Sequence, residues 1–389
     1  MAKYDFLIVG AGFFGATCAR LLTDLGYKCL IIEKEKTVGG LCSDYFKDDI
    51  NIHNYSAHVF HTSNEDVWSF INKYAKLNII NYPVKTLNEN KYFDAQANMN
   101  FFNSIYGYKN PAEAQSYINK DIIDYGCEYR RNLEEEAISK GGFKYYINSI
   151  KGYYEKIYND SCKNLSTAYI KNILNDFTFN TNYFSDKYIA IPEEGYTKTI
   201  ENIIGDDIDI LLNTDFLKNR EKFIQMAELV ICTCPIDKFC NYIYGALPWR
   251  SATFELKDFS KETNNFSGIG TIKVTDPNNG LLQIDEFKWL TPYKNSEEFN
   301  THTYLMYTYP QDWNPDRPCI FSTNNDRSDD LLIKYVNFVS ENFSNVVFGG
   351  RLGLFRNISI SETIYLAMSM VNDIIDNIAN AQAEIEAES

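Results

Sequence analysis

The sequence predicts an α/β chain built on a doubly wound parallel sheet, with a helical insertion and an antiparallel sheet attached to it. Three observations carry that expectation. The apolar run Phe6-Leu7-Ile8-Val9 has the character of a strand buried on both faces. The glycine turn Gly10-Ala11-Gly12-Phe13-Phe14-Gly15 follows it at once. A helix-spaced apolar set then runs from Ala16 through Cys18, Ala19, Leu21 and Leu22 to Leu25, and leads to a second strand, 28–32, that ends on Glu33.

Each part has a physical task. Gly10 permits the tight turn, Gly12 lets a pyrophosphate approach the backbone, and Gly15 lets helix and strand pack closely. The free N–H groups and positive dipole end of the helix start suit phosphate oxygens. Glu33 is placed to accept from ribose hydroxyls, which favours a dinucleotide without a 2′-phosphate. This unit by itself leaves NAD and FAD both open. The glycine pair Gly39-Gly40, soon after Glu33-Lys34, offers a second close backbone approach and favours FAD.

Composition narrows the function. At 389 residues the chain is long enough for two or three structural units. A formal charge of −15 argues against nucleic acid as a partner, because no basic stripe exists to displace its counterions. An anionic small molecule would need a local positive clamp. The nine cysteines are odd in number and dispersed, which predicts reduced structural thiols, and the close pair Cys232 and Cys234 reads as core. No stretch approaches the roughly 20 apolar residues of a spanning helix and no leader pattern precedes the first strand, so a cytoplasmic protein without membrane insertion is expected.

Further along, 49–53 reads as a strand leading into Asn54-Tyr55-Ser56-Ala57-His58-Val59-Phe60-His61-Thr62. Of the four histidines, His53, His58 and His61 fall here; no cysteine or carboxylate completes a metal pattern, and a polar group beside a flavin ring is the functional expectation. A helix over 64–74 and paired strands over 81–93 with a turn at Asn88-Glu89-Asn90 come next. The region 100–169 reads as mostly helical, with a helix start at Lys109-Asn110-Pro111 and a break at Gly141-Gly142. Extended structure is expected at Phe177-Thr178-Phe179 and 188–191, a helix over 195–204, strands at 208–212 and 229–234, and an antiparallel sheet from 253–257, 271–275, 281–284 and 303–309. A helix over 331–343, a last strand from Val346 ending in Gly349-Gly350-Arg351, and a terminal helix over 359–379 with a frayed acidic tail complete the chain. Gly350 and Arg351, at the carboxyl end of a sheet strand, supply a further close approach and an anion contact.

These residues resemble the bacterial UDP-galactopyranose mutase family. The carriers are Gly10 to Gly15, Glu33-Lys34, Gly39-Gly40, Ala57 to Thr62, Gly152-Tyr153-Tyr154-Glu155-Lys156, Asn182-Tyr183-Phe184-Ser185-Asp186, Ile191-Pro192, Gly195-Tyr196-Thr197-Lys198, Tyr244-Gly245-Ala246-Leu247, Arg250-Ser251 and Phe348-Gly349-Gly350-Arg351-Leu352. The resemblance implies an FAD-binding Rossmann-like domain (1–80, 190–240 and 340–389), an inserted helical domain (95–170) and an antiparallel sheet domain for substrate (80–95, 171–190 and 241–335). It implies a cytoplasmic isomerase of surface polysaccharide synthesis that interconverts pyranose and furanose rings of a nucleotide sugar, with N5 of the reduced flavin bonding covalently to the sugar. A homodimer is compatible with it. Cofactor contacts are implied at Gly10, Gly12, Phe13, Phe14, Gly15, Glu33, Lys34, Gly39, Gly40, Leu41, His58, Val59, Asp215, Phe216, Gly350, Arg351, Ile358 and Ser359, and the catalytic side chain is His58. Substrate contacts are implied at Tyr153, Tyr158, Asn172, Tyr183, Arg250, Gln283, Tyr309 and Asn357.

The chain departs from the family pattern where a diphosphate is clamped. Asn172 and Gln283 stand at two arginine positions, Asn357 and Ser359 at a tyrosine and an aspartate, Tyr158 at a tryptophan, and Leu41 at an asparagine. Lys163, Lys171, Lys288 and Arg356 are the cations near enough in sequence to compensate. The alternatives are a flavoenzyme of this fold acting on another sugar and a catalytically inactive flavin-binding homologue.

Overall fold

The computed structural model describes residues 3–170, 173 and 177–388. Its central sheet has five parallel strands in the order Asp209–Leu211, Cys29–Ile32, Tyr4–Val9, Ala227–Cys232, Val346–Phe348. Side chains alternate between two cores, as a sheet covered on both faces requires. Phe6, Ile8, Cys29 and Ile31 pack under the helices Phe13–Asp24, Gly195–Ile204 and Ile360–Glu388, while Tyr4, Leu7, Val9, Leu30 and Ile32 face Phe216, Phe239, Tyr335 and Val339. The glycine turn therefore sits at the carboxyl end of the central strand, beside the ends of its neighbours.

A second, seven-stranded sheet has the order Phe321–Ser322, Trp249–Asp258, Tyr304–Asp312, Gln283–Glu286, Thr271–Val274, Val84–Asn88, Lys91–Asp94. It is not wholly antiparallel as expected: Val84–Asn88 runs parallel to Thr271–Val274, because the 84–94 hairpin joins the sheet by its first strand. Smaller sheets link the two. Phe60–Thr62, Tyr188–Pro192 and Leu77–Ile79 form one, and Asp44–Lys47 with Ile50–His53 another.

Helices Met99–Tyr106, Pro111–Asp124, Leu133–Tyr145 and Gly152–Tyr158 share their own apolar core around Phe101, Phe102, Tyr145 and Ile150. Asn98, Asn110 and Asn132 cap the first three, each side chain accepting from a backbone N–H of the first turn. Leu133–Tyr145 breaks at Gly142, which takes φ 80, and a π-helical stretch, Tyr146–Lys151, follows. Gly152 then lies against the second sheet so closely that a Cβ there would stand 1.8 Å from the carbonyl oxygen of Thr275. That approach fixes Tyr153 over the sheet.

Two further expectations differ from the structure. Residues 177–179 form no strand; the carbonyl of Thr178 instead accepts from the amide of Met99 at 2.8 Å, at the start of a helix. The acidic tail does not fray, and the last helix continues to Glu388. Among the described residues no helix is long and apolar enough to cross a membrane, and no group of His, Cys, Asp and Glu is arranged to hold a metal ion.

Candidate functional site

The two glycine loops face each other. Gly10 adopts φ 103, and a Cβ on Gly15 would fall 2.0 Å from the Gly10 carbonyl oxygen, so both positions require glycine for the protein's own packing. Gly12 is different. Its backbone is extended and nothing lies within 4 Å of where its Cβ would be, so the space above it is open. Beside it the second loop makes contact: a Cβ on Gly40 would touch the Cα of Gly12 at 3.8 Å, and the amide of Gly39 donates to the carbonyl of Ala11 at 2.9 Å. The open space above Gly12, at the start of a helix, fits a pyrophosphate. Phe13 and Phe14 are core residues, and Leu41 lies half-buried in the short turn Gly40–Cys42.

Glu33 is buried and braces the turn: its carboxylate accepts from the amides of Ala11 at 2.8 Å and Glu35 at 2.9 Å. A carboxylate has about four acceptor sites, so capacity remains for a ribose hydroxyl. Beside it, Lys34 and Asp215 line a cleft of about 470 Å³ with Asn213, Thr214, Lys218 and Asn219. Phe216 is not part of it; its ring stacks on Phe223 and Phe239 in the core.

Gly350 takes φ 72 and packs on Phe14. Arg351 donates to the carbonyls of Ile320 at 2.9 Å and Cys319 at 2.5 Å, and burial lowers its pKa to about 10. Among the described residues no carboxylate pairs with it, and its guanidinium lies 5.6 Å from the ring centre of Trp249. Ile358 is half-buried just before the terminal helix, and the Ser359 hydroxyl caps that helix by accepting from the amide of Glu362 at 3.1 Å.

His58 joins this half to the next. Its ring Nδ1 lies 3.0 Å from the carbonyl of Ser56, which can only accept; in the neutral ring Nδ1 therefore carries the proton and Nε2 is the acceptor. Burial lowers its pKa, and the charge of Arg351 adds to the lowering. Val59 beside it packs against the core under the second sheet. The amide of His58 donates to Nδ1 of His53 at 2.9 Å, which leaves the Nε2 proton of that fully buried histidine without a partner among the described residues. Burial depresses the pKa of His53 to about 4, against a smaller opposing pull from Asp44. The unfolded chain thus binds a proton between about pH 6.5 and 4 that the folded chain refuses. His53 stability is whole above that window and falls as pH falls through it, by about 3 kcal/mol at most. Thermal melts of wild type and His53→Asn should diverge in favour of the variant as pH drops from 6.5 to 4; parallel curves would show that His53 protonates freely in the fold.

The second half is a polar cluster on one face of the seven-stranded sheet. In the ladder of Thr271–Val274 against Gln283–Glu286, Lys273 stands opposite Gln283 and Thr271 opposite Asp285, so all four share a face. Asp285 is fully buried. It accepts from Ser56 Oγ at 2.5 Å, the Ala57 amide at 3.0 Å, Thr271 Oγ1 at 2.8 Å and Gln283 Nε2 at 2.9 Å. Burial pushes its carboxyl up, and these donors pull it part of the way back. Gln283 also donates to Ser56 Oγ and accepts from Tyr153 Oη at 3.3 Å. Lys273 Nζ donates to Tyr183 Oη at 2.6 Å and lies 4.8 and 4.4 Å from the ring centres of Tyr153 and Tyr183. Ser56 holds φ 71, a conformation rare outside glycine, which aims its hydroxyl and the Ala57 amide at Asp285.

The cluster thus gathers Tyr153, Tyr183 and Gln283 of the expected substrate residues. Tyr309 is not with them: Gln283 pairs with Thr308, so Tyr309 projects from the opposite face, where its hydroxyl meets Glu255. Tyr158 stacks on Tyr169 and meets Asn357 Nδ2, which also bonds the backbone of Ser322. Arg250 donates to the carbonyl of Ile157 and pairs with Asp312, lining a separate cleft of about 420 Å³. Asn172 and Lys171 lie outside the described residues. Lys163 is nearest Glu134, Lys288 donates to the carbonyls of Asn264, Asn300 and His302, and Arg356 is exposed. The sequence reading passed over Lys273, Asp285 and Ser56. The register of the two strands it did predict would have put Lys273 beside Gln283.

A dinucleotide-binding α/β enzyme is what this fold and site define. Comparison with known proteins makes the class narrower. The family model for UDP-galactopyranose mutase matches residues 148–357, more than half of the chain, and a model for an NAD(P)-binding Rossmann-like domain matches 8–74. The chain belongs to the UDP-galactopyranose mutase family and is an isomerase of that type. A probable UDP-galactopyranose mutase of Klebsiella pneumoniae is 29% identical over 98% of this chain and 97% of its own. A dTDP-fucopyranose mutase of Escherichia coli is 28% identical over 95% of this chain and 98% of its own. Among solved structures, a reduced UDP-galactopyranose mutase superposes with a TM-score of 0.71 over 96% of each chain at 13% identity, a likeness of fold.

Proposed function

We propose that the chain is an FAD-dependent mutase that interconverts pyranose and furanose forms of a nucleotide-linked sugar, in the cytoplasmic steps of surface polysaccharide synthesis. One observation carries the reading. Three consecutive residues join the two halves of the site: Ser56 and Ala57 bind Asp285 in the polar cluster, and His58 lies within reach of the charge of Arg351 beside the glycine loops. A sugar resting on Tyr153, Tyr183 and Gln283 would in this reading meet a flavin held by Gly12, Glu33, Gly40, Gly350 and Arg351. Bound and reduced, such a flavin supplies a nucleophile to the anomeric carbon with no net redox change. His58 serves as a neutral acceptor at Nε2, and the helical unit over 95–170 covers the sugar. Residues Lys34 and Asp215 would hold the adenosine end.

The sugar need not be galactose. The two relatives named above are equally similar to this chain, yet one is named for UDP-galactopyranose and the other for dTDP-fucopyranose. The test is incubation of the dithionite-reduced holoprotein with both nucleotide sugars, read by NMR for ring form. A furanose product from one of them, absent with oxidised protein, is the expected result. Reduced protein that retains FAD and changes neither ring would overturn the reading for these sugars and favour a non-catalytic homologue.

A further inference from the structure

We propose that Lys273 is the anion-binding residue of the sugar pocket, and that the substrate presents it with an anionic oxygen, either of the diphosphate or of a carboxylate on the sugar. The inference rests on the sugar-nucleotide reading above and deepens it.

The geometry around Lys273 is that of a cation kept in reserve. Its ammonium has three protons, and the hydrogen bond found for it is to Tyr183 Oη at 2.6 Å. Aromatic faces flank it, with the ring centres of Tyr153 and Tyr183 at 4.8 and 4.4 Å. Such faces attract a cation but do not neutralise it. The acid on the same face is Asp285, and it is fully engaged. Ser56, Ala57, Thr271 and Gln283 all donate to it, and no ion pair joins it to Lys273 among the described residues. Gln283, directly across the ladder, turns its amide nitrogen toward Ser56 and Asp285 and its oxygen toward Tyr153, so it offers Lys273 no charge.

A half-buried lysine without an ion pair of its own is costly to hold in place, and such groups are found where a ligand completes them. A structural strut between two tyrosines would not need the charge; methionine would fill the same space. What the charge adds is affinity for an anion in a place where the protein's own acid, Asp285, is taken up by other donors. The chain has a formal charge of −15, so general attraction cannot bring an anion there and a local cation must. Lys273 does that on the sheet face it shares with Gln283, which carries no charge.

The test uses holoprotein with bound FAD and titration calorimetry at two ionic strengths. The probes are UDP, UDP-galactose and UDP-galacturonic acid, against wild type, Lys273→Met, Lys273→Gln and Lys273→Arg. If the diphosphate is the partner, Lys273→Met weakens UDP and both sugar nucleotides at least tenfold, Lys273→Arg restores most of the loss, and wild-type affinity falls with salt. If a sugar carboxylate is the partner, the wild type prefers the uronate and Lys273→Met removes that preference alone. Equal binding of every probe by wild type and the Met variant overturns the proposal while leaving the sugar-nucleotide reading in place. Failure of the wild type to bind any of the three overturns both for uridine nucleotides. Should Lys273→Met lose its flavin, Lys273→Gln replaces it, and salt-independent binding by the wild type is by itself enough to reject a charged contact.

Discussion

Gly12→Val yields a folded protein that no longer holds a dinucleotide. No protein atom lies within 4 Å of the position a Cβ would take, and the backbone there is extended, so the fold tolerates the substitution. The branched side chain fills the open space above Gly12 instead. With FAD as the cofactor proposed above, loss of the close backbone contact to a pyrophosphate should raise its dissociation constant by a hundredfold or more, which is about 3 kcal/mol. The yellow colour should vanish on purification while the melting curve of the apoprotein stays that of wild-type apoprotein. Gly15→Ala gives the opposite pattern. Its Cβ would strike the Gly10 carbonyl at 2.0 Å, so stability falls first and cofactor loss follows from it. Retention of FAD by a folded Gly12→Val protein would remove the glycine loops from the cofactor site.

Asp285→Ala is expected to cost the fold more than any other single change in the polar cluster. Four donors lose their acceptor at once: Ser56 Oγ, the Ala57 amide, Thr271 Oγ1 and Gln283 Nε2. Buried donors left unpaired cost about 1 to 3 kcal/mol each before relaxation, and together a net loss of about 3 to 5 kcal/mol is expected. The melting temperature of the holoprotein should fall by roughly 4 to 6 °C. Asp285→Asn keeps one carbonyl oxygen and should lose less than half as much. A melting temperature unchanged in the alanine variant would mean that water enters the cluster and satisfies those donors.

The parallel sheet was legible because its signals are local. A strand, a glycine turn and an amphipathic helix lie within the first few dozen residues, and Asn110-Pro111 likewise marks the start of its helix where it stands. The substrate half was less legible for a physical reason. Which face of a strand a residue occupies depends on register, and a shift of one residue reverses the face. Tyr309 was expected in the pocket, yet the ladder gives that face to Thr308. Lys273 was passed over because it is an unremarkable letter in a strand until Gln283 is placed across from it. Asp285 and Ser56 are 229 positions apart in sequence, and no local pattern announces their contact.

The order of strands in the five-stranded sheet has a consequence for how the chain is made. The first of the five strands in chain order, Tyr4–Val9, is central, and its neighbour on one side is Ala227–Cys232; Thr233 Oγ1 closes that seam on the Val9 carbonyl across 224 positions. Until those residues emerge, the turn has one flank of sheet missing, and Val346–Phe348 completes the far edge later still. Long-range parallel pairing is slow, because the loop must close before any contact rewards it. The nascent chain therefore carries its apolar first strand half-covered through most of synthesis. A chain truncated before residue 340 lacks that edge strand, and it should neither bind the flavin proposed above nor resist protease at its N-terminal unit.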